Sequence, residues 1–199
     1  MDCGLPFKRY RLLSPEQGGA KYLSPGSTSA HAYIPHGLKS LIESTGDVTD
    51  HLLVICEGEK KAARLVKLGI PAIAIAGIQM WPESSIRNRR KAEAEQRGEK
   101  PLRLSRNTPV ADDIKSLIGG LAIEKVVILF DSDGLPVDAG TAGITEKFVM
   151  VGDRKMAFNR DVFWSARTFA AALKRSCPHV AVAYGFAPHM IGDNGALGR

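Results

Sequence analysis

Two short stretches of this 199-residue chain carry side chains that could do chemistry together: Glu57-Gly58-Glu59-Lys60-Lys61 and Asp131-Ser132-Asp133-Gly134. Each follows directly on an apolar run, Leu52 to Cys56 in the first case and Val126 to Phe130 in the second. Glu57, Asp131 and Asp133 are the oxygen donors that a hard divalent cation such as Mg²⁺ or Mn²⁺ takes together with water and phosphate oxygens. Zinc would call for His or Cys, and His31, His36, His51, His179 and His189 recur at no ligand spacing. Lys60 and Lys61 open a predicted helix, where the helix dipole favours acidic side chains; two lysines break that local rule but suit a phosphate group. Simpler readings stand beside these. Asp-x-Asp-Gly is a common turn sequence, Glu57 alone could be a solvated residue starting a helix, and Lys60, Arg64 and Lys67 could form a merely solvated face.

The elements that must position these residues follow from the apolar patterning. Leu52 to Cys56, Ala72 to Ala76, Val126 to Phe130 and Val180 to Tyr184 are short apolar runs of the buried-strand type. Between the first two, Ala62, Leu65, Val66 and Gly69 lie on one face at helical spacing, with Gly69 ending the helix. A short helix is predicted from Asp112 to Leu121, opening on two acidic residues, and another from Asp161 to Lys174 with Val162, Ala166, Phe169, Ala170 and Leu173 on one face. Strands alternating with helices predict βαβ units: a four-stranded, mostly parallel α/β sheet with helices on both faces. Ligands of such sheets bind at the carboxyl ends of the strands, where both motifs fall, with Gly58, Gly77 and Gly134 as the turn glycines of three strand ends. Residues 1–49, rich in Gly, Pro and Ser, read as an irregular lead-in with a few short strands, and 50–199 as the α/β domain.

Composition narrows the class further. With 27 Lys and Arg against 21 Asp and Glu the net charge is +6, and eight basic residues face three acidic ones between Arg87 and Arg106. Arg87, Arg89, Arg90 and Lys91 open this segment, which spans 82–107. It contains no aromatic residue between 87 and 106, so it suits phosphate contact rather than base stacking; a solvated, partly helical connection is the plain alternative. The longest mostly apolar stretch, Gly69 to Trp81, is shorter than the roughly 18 residues of a membrane span, and MDCGLPFKRYRLL has no apolar core of signal-peptide length, so secretion is not expected. Three cysteines without a C-x-x-C pair fit a reducing compartment, so the expected location is the cytoplasm. Trp81, Trp164 and Cys56 are expected to pack, and Asp153 and Asp193 to lie in turns.

The stretches LLVICEGEKKA (52–62), AIAIAG (72–77) and VVILFDSD (126–133), in this order, resemble the Toprim domain of bacterial primases, topoisomerases and some nucleases. Glu-Gly-Glu-Lys-Lys-Ala is most similar to the Toprim-like domains of phage, plasmid and other mobile-element proteins that sit beside primase or helicase modules; replicative primases carry an Asp after Glu-Gly. The segment YRLLSPEQGGAKYLSPGSTSAHAYIP (10–35) also resembles the lead-in of such domains. The resemblance implies Glu57 as acid/base or metal-linked carboxylate, Asp131 and Asp133 as Mg²⁺ ligands, and DNA or RNA, nucleotides and a helicase or primase module as partners. It implies nucleotidyl transfer of the primase type in mobile-element replication; a Toprim nuclease or a non-catalytic binding module is the alternative. No motif around Tyr10, Tyr22, Tyr33 or Tyr184 nominates a strand-attacking tyrosine of a topoisomerase.

Two departures accompany the resemblance. Residues 134–158 form an insertion before the helix that resumes at Asn159, and the chain stops at GDNGALGR where relatives tend to continue, which implies a module of something larger. LFDSDGLPVD also resembles the first motif of haloacid-dehalogenase-type phosphatases. That motif normally stands near the chain start, whereas 130 residues precede Asp131 here, and this reading gives Glu57 and the lysines no role.

Overall fold

The structure, a computed structural model, describes residues 10–11, 22–23, 31–44, 51–101, 103–138, 149–158, 160–188, 190–191 and 197–198. The chain divides into two compact units, Met1–Ala30 and His31–Arg199. In the first, strands β1 (Tyr10–Arg11) and β2 (Tyr22–Leu23) pair antiparallel. The rest of the 1–30 lead-in and residues 45–50 lie outside the described residues.

The larger unit is α/β. Its sheet contains β3 (Leu52–Glu57), β4 (Ala72–Ile75), β5 (Lys125–Phe130) and β9 (Ala181–Phe186), all parallel, in the order β4-β3-β5-β9. All four expected strands are present. The continuous apolar runs are explained by burial on both faces: Leu53 and Ile55 of β3 face one core, and Val54 and Cys56 face the other.

Helices cover both faces. Helix α2 (Glu59–Lys67) packs Ala62, Leu65 and Val66 over the smaller core on β3 and β4. It ends where its sequence predicts: Gly69 has φ 79° and donates to the Val66 carbonyl at 3.0 Å, while Ile70 donates to Leu65 at 3.0 Å. This pair of bonds satisfies the last orphaned carbonyls of the helix. The opposite face buries Ile114 and Ile118 of α4 (Asp112–Gly120) and the stripe Val162, Ala166, Phe169, Ala170 and Leu173 of α5 (Arg160–Ser176). Leu38 of α1 (Leu38–Ser44) joins that core, within a stretch whose Gly, Pro and Ser content suggested irregular structure. Trp81 is fully buried there and stacks on Phe169 at 5.0 Å between ring centres.

The 82–107 segment is largely the helix α3 (Ser84–Arg97), ended by Gly98 in the left-handed conformation at φ 66°. Ala94 is its one buried residue. In the 134–158 excursion, the described residues form a small antiparallel sheet of β6 (Val137–Asp138), β8 (Arg154–Ala157) and β7 (Val149–Val151) in that order; 139–148 lie outside the described residues. Strands β10 (Met190–Ile191) and β11 (Leu197–Gly198) pair antiparallel near the chain end. No helix among the described residues is long and apolar enough to cross a membrane.

Candidate functional site

The strand order places the two motifs side by side. From β3 the chain first passes outward to β4, then returns to add β5 on the other flank of β3. The chain leaving the carboxyl end of β3 turns towards β4 and the chain leaving β5 turns towards β9, which opens a crevice at this switch of direction. Glu57 is the last residue of β3, and Asp131 follows the last residue of β5. The register pairs Cys56 with Leu129, so Glu57 stands level with Phe130 and Asp131 is one residue further along the rim.

Each motif is shaped locally by a turn. Gly58 takes φ 89° and ψ 131°, a conformation that suits glycine, and turns β3 directly into α2. Its N–H donates to the Ile75 carbonyl at 3.1 Å and its own carbonyl accepts from Lys61 at 3.2 Å, fastening the turn to the end of β4. On the other side, Ser132–Gly134 forms a single 3₁₀ turn, with Gly134 donating to the Asp131 carbonyl at 3.1 Å. Gly134 is glycine for space: a Cβ there would overlap the Phe186 ring and lie 2.8 Å from Val162 Cγ1. Gly77 has a different setting, with a negative φ and only Met80 at ordinary contact distance from a would-be Cβ.

Lys61 bridges the motifs. Its ammonium donates to Asp131 Oδ1 across 70 residues of sequence, with both side chains about half exposed. Glu57 lies between opposed influences. Burial, and then the Asp131 carboxylate, push its carboxyl above the ordinary range; Lys61 pulls it back, and Asp133 pushes it up further. Glu57, Lys61, Asp131 and Asp133 therefore share one electrostatic neighbourhood. Cys56, just beneath, is buried, and burial pushes its thiol up to about 11.

The donor chemistry fits a hard divalent cation, since magnesium is commonly held by one or two carboxylates with water and phosphate completing its shell. The Lys61 ammonium already places one positive charge on Asp131. Among the described residues no three His, Cys, Asp or Glu side chains come close enough to hold an ion by themselves. A cation here would depend on water and substrate oxygens for much of its shell.

The other predicted contacts are dispersed. Lys60 is exposed in the first turn of α2. Arg87 turns inward, donating to Met80 Sδ at 2.8 Å and Ser84 Oγ at 2.8 Å. Burial lowers its pKa and that of Arg90, whose Nη2 is buried without a hydrogen-bond partner. Arg89 and Lys91 sit on an exposed face of α3, paired with Glu93 at 3.8 Å and Glu95 at 3.7 Å. Such exposed i,i+4 pairs contribute about 0.2–0.5 kcal/mol each, typical of a solvated helix. Two residues near the rim were not singled out from sequence for a site. Trp164, expected to pack, is 38% exposed, and Asp161, read as a helix-start residue, pairs with Arg103 at 3.3 Å. Their helical spacing was visible, but nothing in it showed which other loop they face.

A family model described as a domain of unknown function (DUF3854) matches residues 47–139. The matched stretch begins just before β3 and ends just after β6, so it contains Glu57, Lys61, Asp131 and Asp133 and excludes α5 and β9. No curated protein and no solved structure matches the chain.

Proposed function

We propose that this chain is a Toprim-like module for Mg²⁺-dependent phosphoryl transfer on nucleic acid, of the primase nucleotidyl-transfer type, working in the cytoplasm in the replication of a mobile element. The observation that carries this reading is the meeting of Glu57, Lys61 and Asp131 at the switch point of a parallel sheet. Asp131 and Asp133 would hold the magnesium. When bound, the ion neutralises charge on a phosphoryl oxygen. Lys60, Lys61 and the first N–H groups of α2 attract phosphate to the same rim. Glu57, whose carboxyl is raised by burial and by Asp131, is suited to hold or move a proton at the reacting 3′ oxygen. Phosphoryl transfer depends mainly on positioning and charge stabilisation of this kind.

The test is an assay of the purified protein with single-stranded DNA, nucleotides and Mg²⁺ or Mn²⁺, read for primers and for nicks. Asp131→Asn should lower either product by at least about 100-fold, the scale on which a single charge-stabilising group acts, while the circular dichroism spectrum is unchanged. Full activity in that variant overturns the reading. A second reading, a non-catalytic module that holds nucleic acid for a helicase or primase partner, is favoured by one observation: Lys61 already occupies Asp131 and no three-ligand group forms among the described residues. Salt-sensitive binding that survives replacement of Glu57, Asp131 and Asp133 together, without primers or nicks from the wild type, would select it.

A further inference from the structure

On the sheet face covered by α5 lies a cleft of about 200 Å³ lined by Gln79, Arg103, Leu104, Asp161, Trp164 and Thr168. Three of these follow from the periodicity of α5: residues 161, 164 and 168 lie at i, i+3 and i+7 on one helix face. Gln79 comes from the loop after β4, held to α5 by the Ser165 hydroxyl, which donates to the Ile78 carbonyl. The first turn of α5 also abuts the Asp131–Gly134 turn, because Val162 packs where a Gly134 Cβ would go. The cleft shares no residue with the candidate phosphate and metal site, and α5 lines the one while its Val162 packs against the turn of the other.

The chemistry of the walls selects the ligand. Arg103 and Asp161 form an ion pair at 3.3 Å, so the cleft offers little net charge and an incoming phosphate would meet a carboxylate. Trp164 and Leu104 supply apolar wall, while Gln79 and Thr168 supply an amide and a hydroxyl. Arg167 lies over the Trp164 ring at 5.1 Å and Phe163 meets it edge-on at 5.6 Å, so the indole is held before any ligand arrives. A wall ordered in advance loses less side-chain entropy on binding. The volume falls below the roughly 300–1,000 Å³ of drug-sized pockets and suits one planar ring system.

We infer that this cleft is a nucleobase subsite, in which a base packs against Trp164 and presents its polar edge to Gln79 and Thr168. The inference rests on the nucleic-acid reading above and adds the residues that would contact the base. A base could come from a free nucleotide or from a single strand.

Both sources are tested by titrating the full chain in EDTA and following indole fluorescence. The probes are a short single-stranded oligonucleotide, an abasic strand of the same length, a nucleoside monophosphate and deoxyribose 5-phosphate. Expected are quenching by the base-bearing probes only and about tenfold or greater weakening of them in Trp164→Ala, the loss of one stacked base. The Trp164→Phe variant should keep most of the affinity and lose the quenching. Quenching by the nucleotide but not the strand assigns the cleft to free nucleotides; quenching by the strand assigns it to polynucleotide. Equal weakening of base-bearing and abasic strands, or quenching that persists in Trp164→Phe, overturns the subsite. Binding of the abasic strand with no gain from bases overturns the subsite alone, whereas failure of every strand to bind both in EDTA and in Mg²⁺ overturns the nucleic-acid reading itself.

Discussion

Glu57 is the residue whose environment can be read directly by experiment, because its charged neighbours push in opposite directions, Asp131 and Asp133 upward and Lys61 downward. Removing a negative neighbour by Asp131→Asn should lower the Glu57 pKa, and removing the positive one by Lys61→Met should raise it. Carboxyl titration by NMR checks both, and shifts of the same sign would break the assignment. Stability follows from the same group. A carboxyl that is protonated more readily in the folded than in the unfolded chain contributes stability that is full below about 4.5, the ordinary value, and is lost as pH rises through the folded value. Glu57→Gln removes that loss, so the variant should gain on the wild type as pH rises from 4 towards 8 in urea unfolding. A constant gap across that range contradicts the expected burial. Glu57, Asp131 and Asp133 were legible as candidates because each follows an apolar run. The Lys61–Asp131 pair was not, since 70 residues separate the partners and only the sheet order brings them together.

Among the elements, the two turns that aim the motifs differ in why they need glycine, and substitution separates the reasons. Gly58 has open space around a would-be Cβ but a φ of 89°, so Gly58→Ala should cost about 1–3 kcal/mol of backbone strain. Gly134 has an ordinary φ but no space, so Gly134→Ala should cost about 1–3 kcal/mol by overpacking. Urea unfolding measures both. Adding Phe186→Leu should recover part of the second loss and none of the first; equal recovery would show that the two turns are not distinct in this way. Helix α2 was legible to its last turn, because an apolar face and a terminal glycine are both local signals. Helix α1 was not, and α3 was legible only as a partly helical connection. α3 buries only Ala94, so it lacks the apolar stripe that announces a helix, and its chain of Arg–Glu and Lys–Glu pairs reads equally well as a charged connection. Of the four α3 residues expected at phosphate, Arg87 turns inward, Arg90 is partly buried, and Arg89 and Lys91 pair with Glu93 and Glu95.

The whole molecule depends on a core that lies mostly on one side of the sheet, where α1, α4 and α5 meet and Trp81 stacks on Phe169. Phe169→Ala should remove about 3–5 kcal/mol of unfolding free energy, the range for a fully buried aromatic, and weaken the near-ultraviolet circular dichroism of Trp81. A loss under about 1 kcal/mol would mean that the stack is not part of the cooperative core. The amino-acid order alone determined the four strands, the α/β class and the carboxylates at two strand ends. These follow from burial on both faces of a parallel sheet and from local turn chemistry, which neighbouring residues encode. Only the tertiary structure decided that β5 lies beside β3, that Lys61 reaches Asp131, that Arg87 turns inward and that Trp164 lines a cleft with Gln79 and Arg103. Each of these depends on which distant segments share a face, and that is settled by how the helices cover the sheet rather than by the pattern of any one of them.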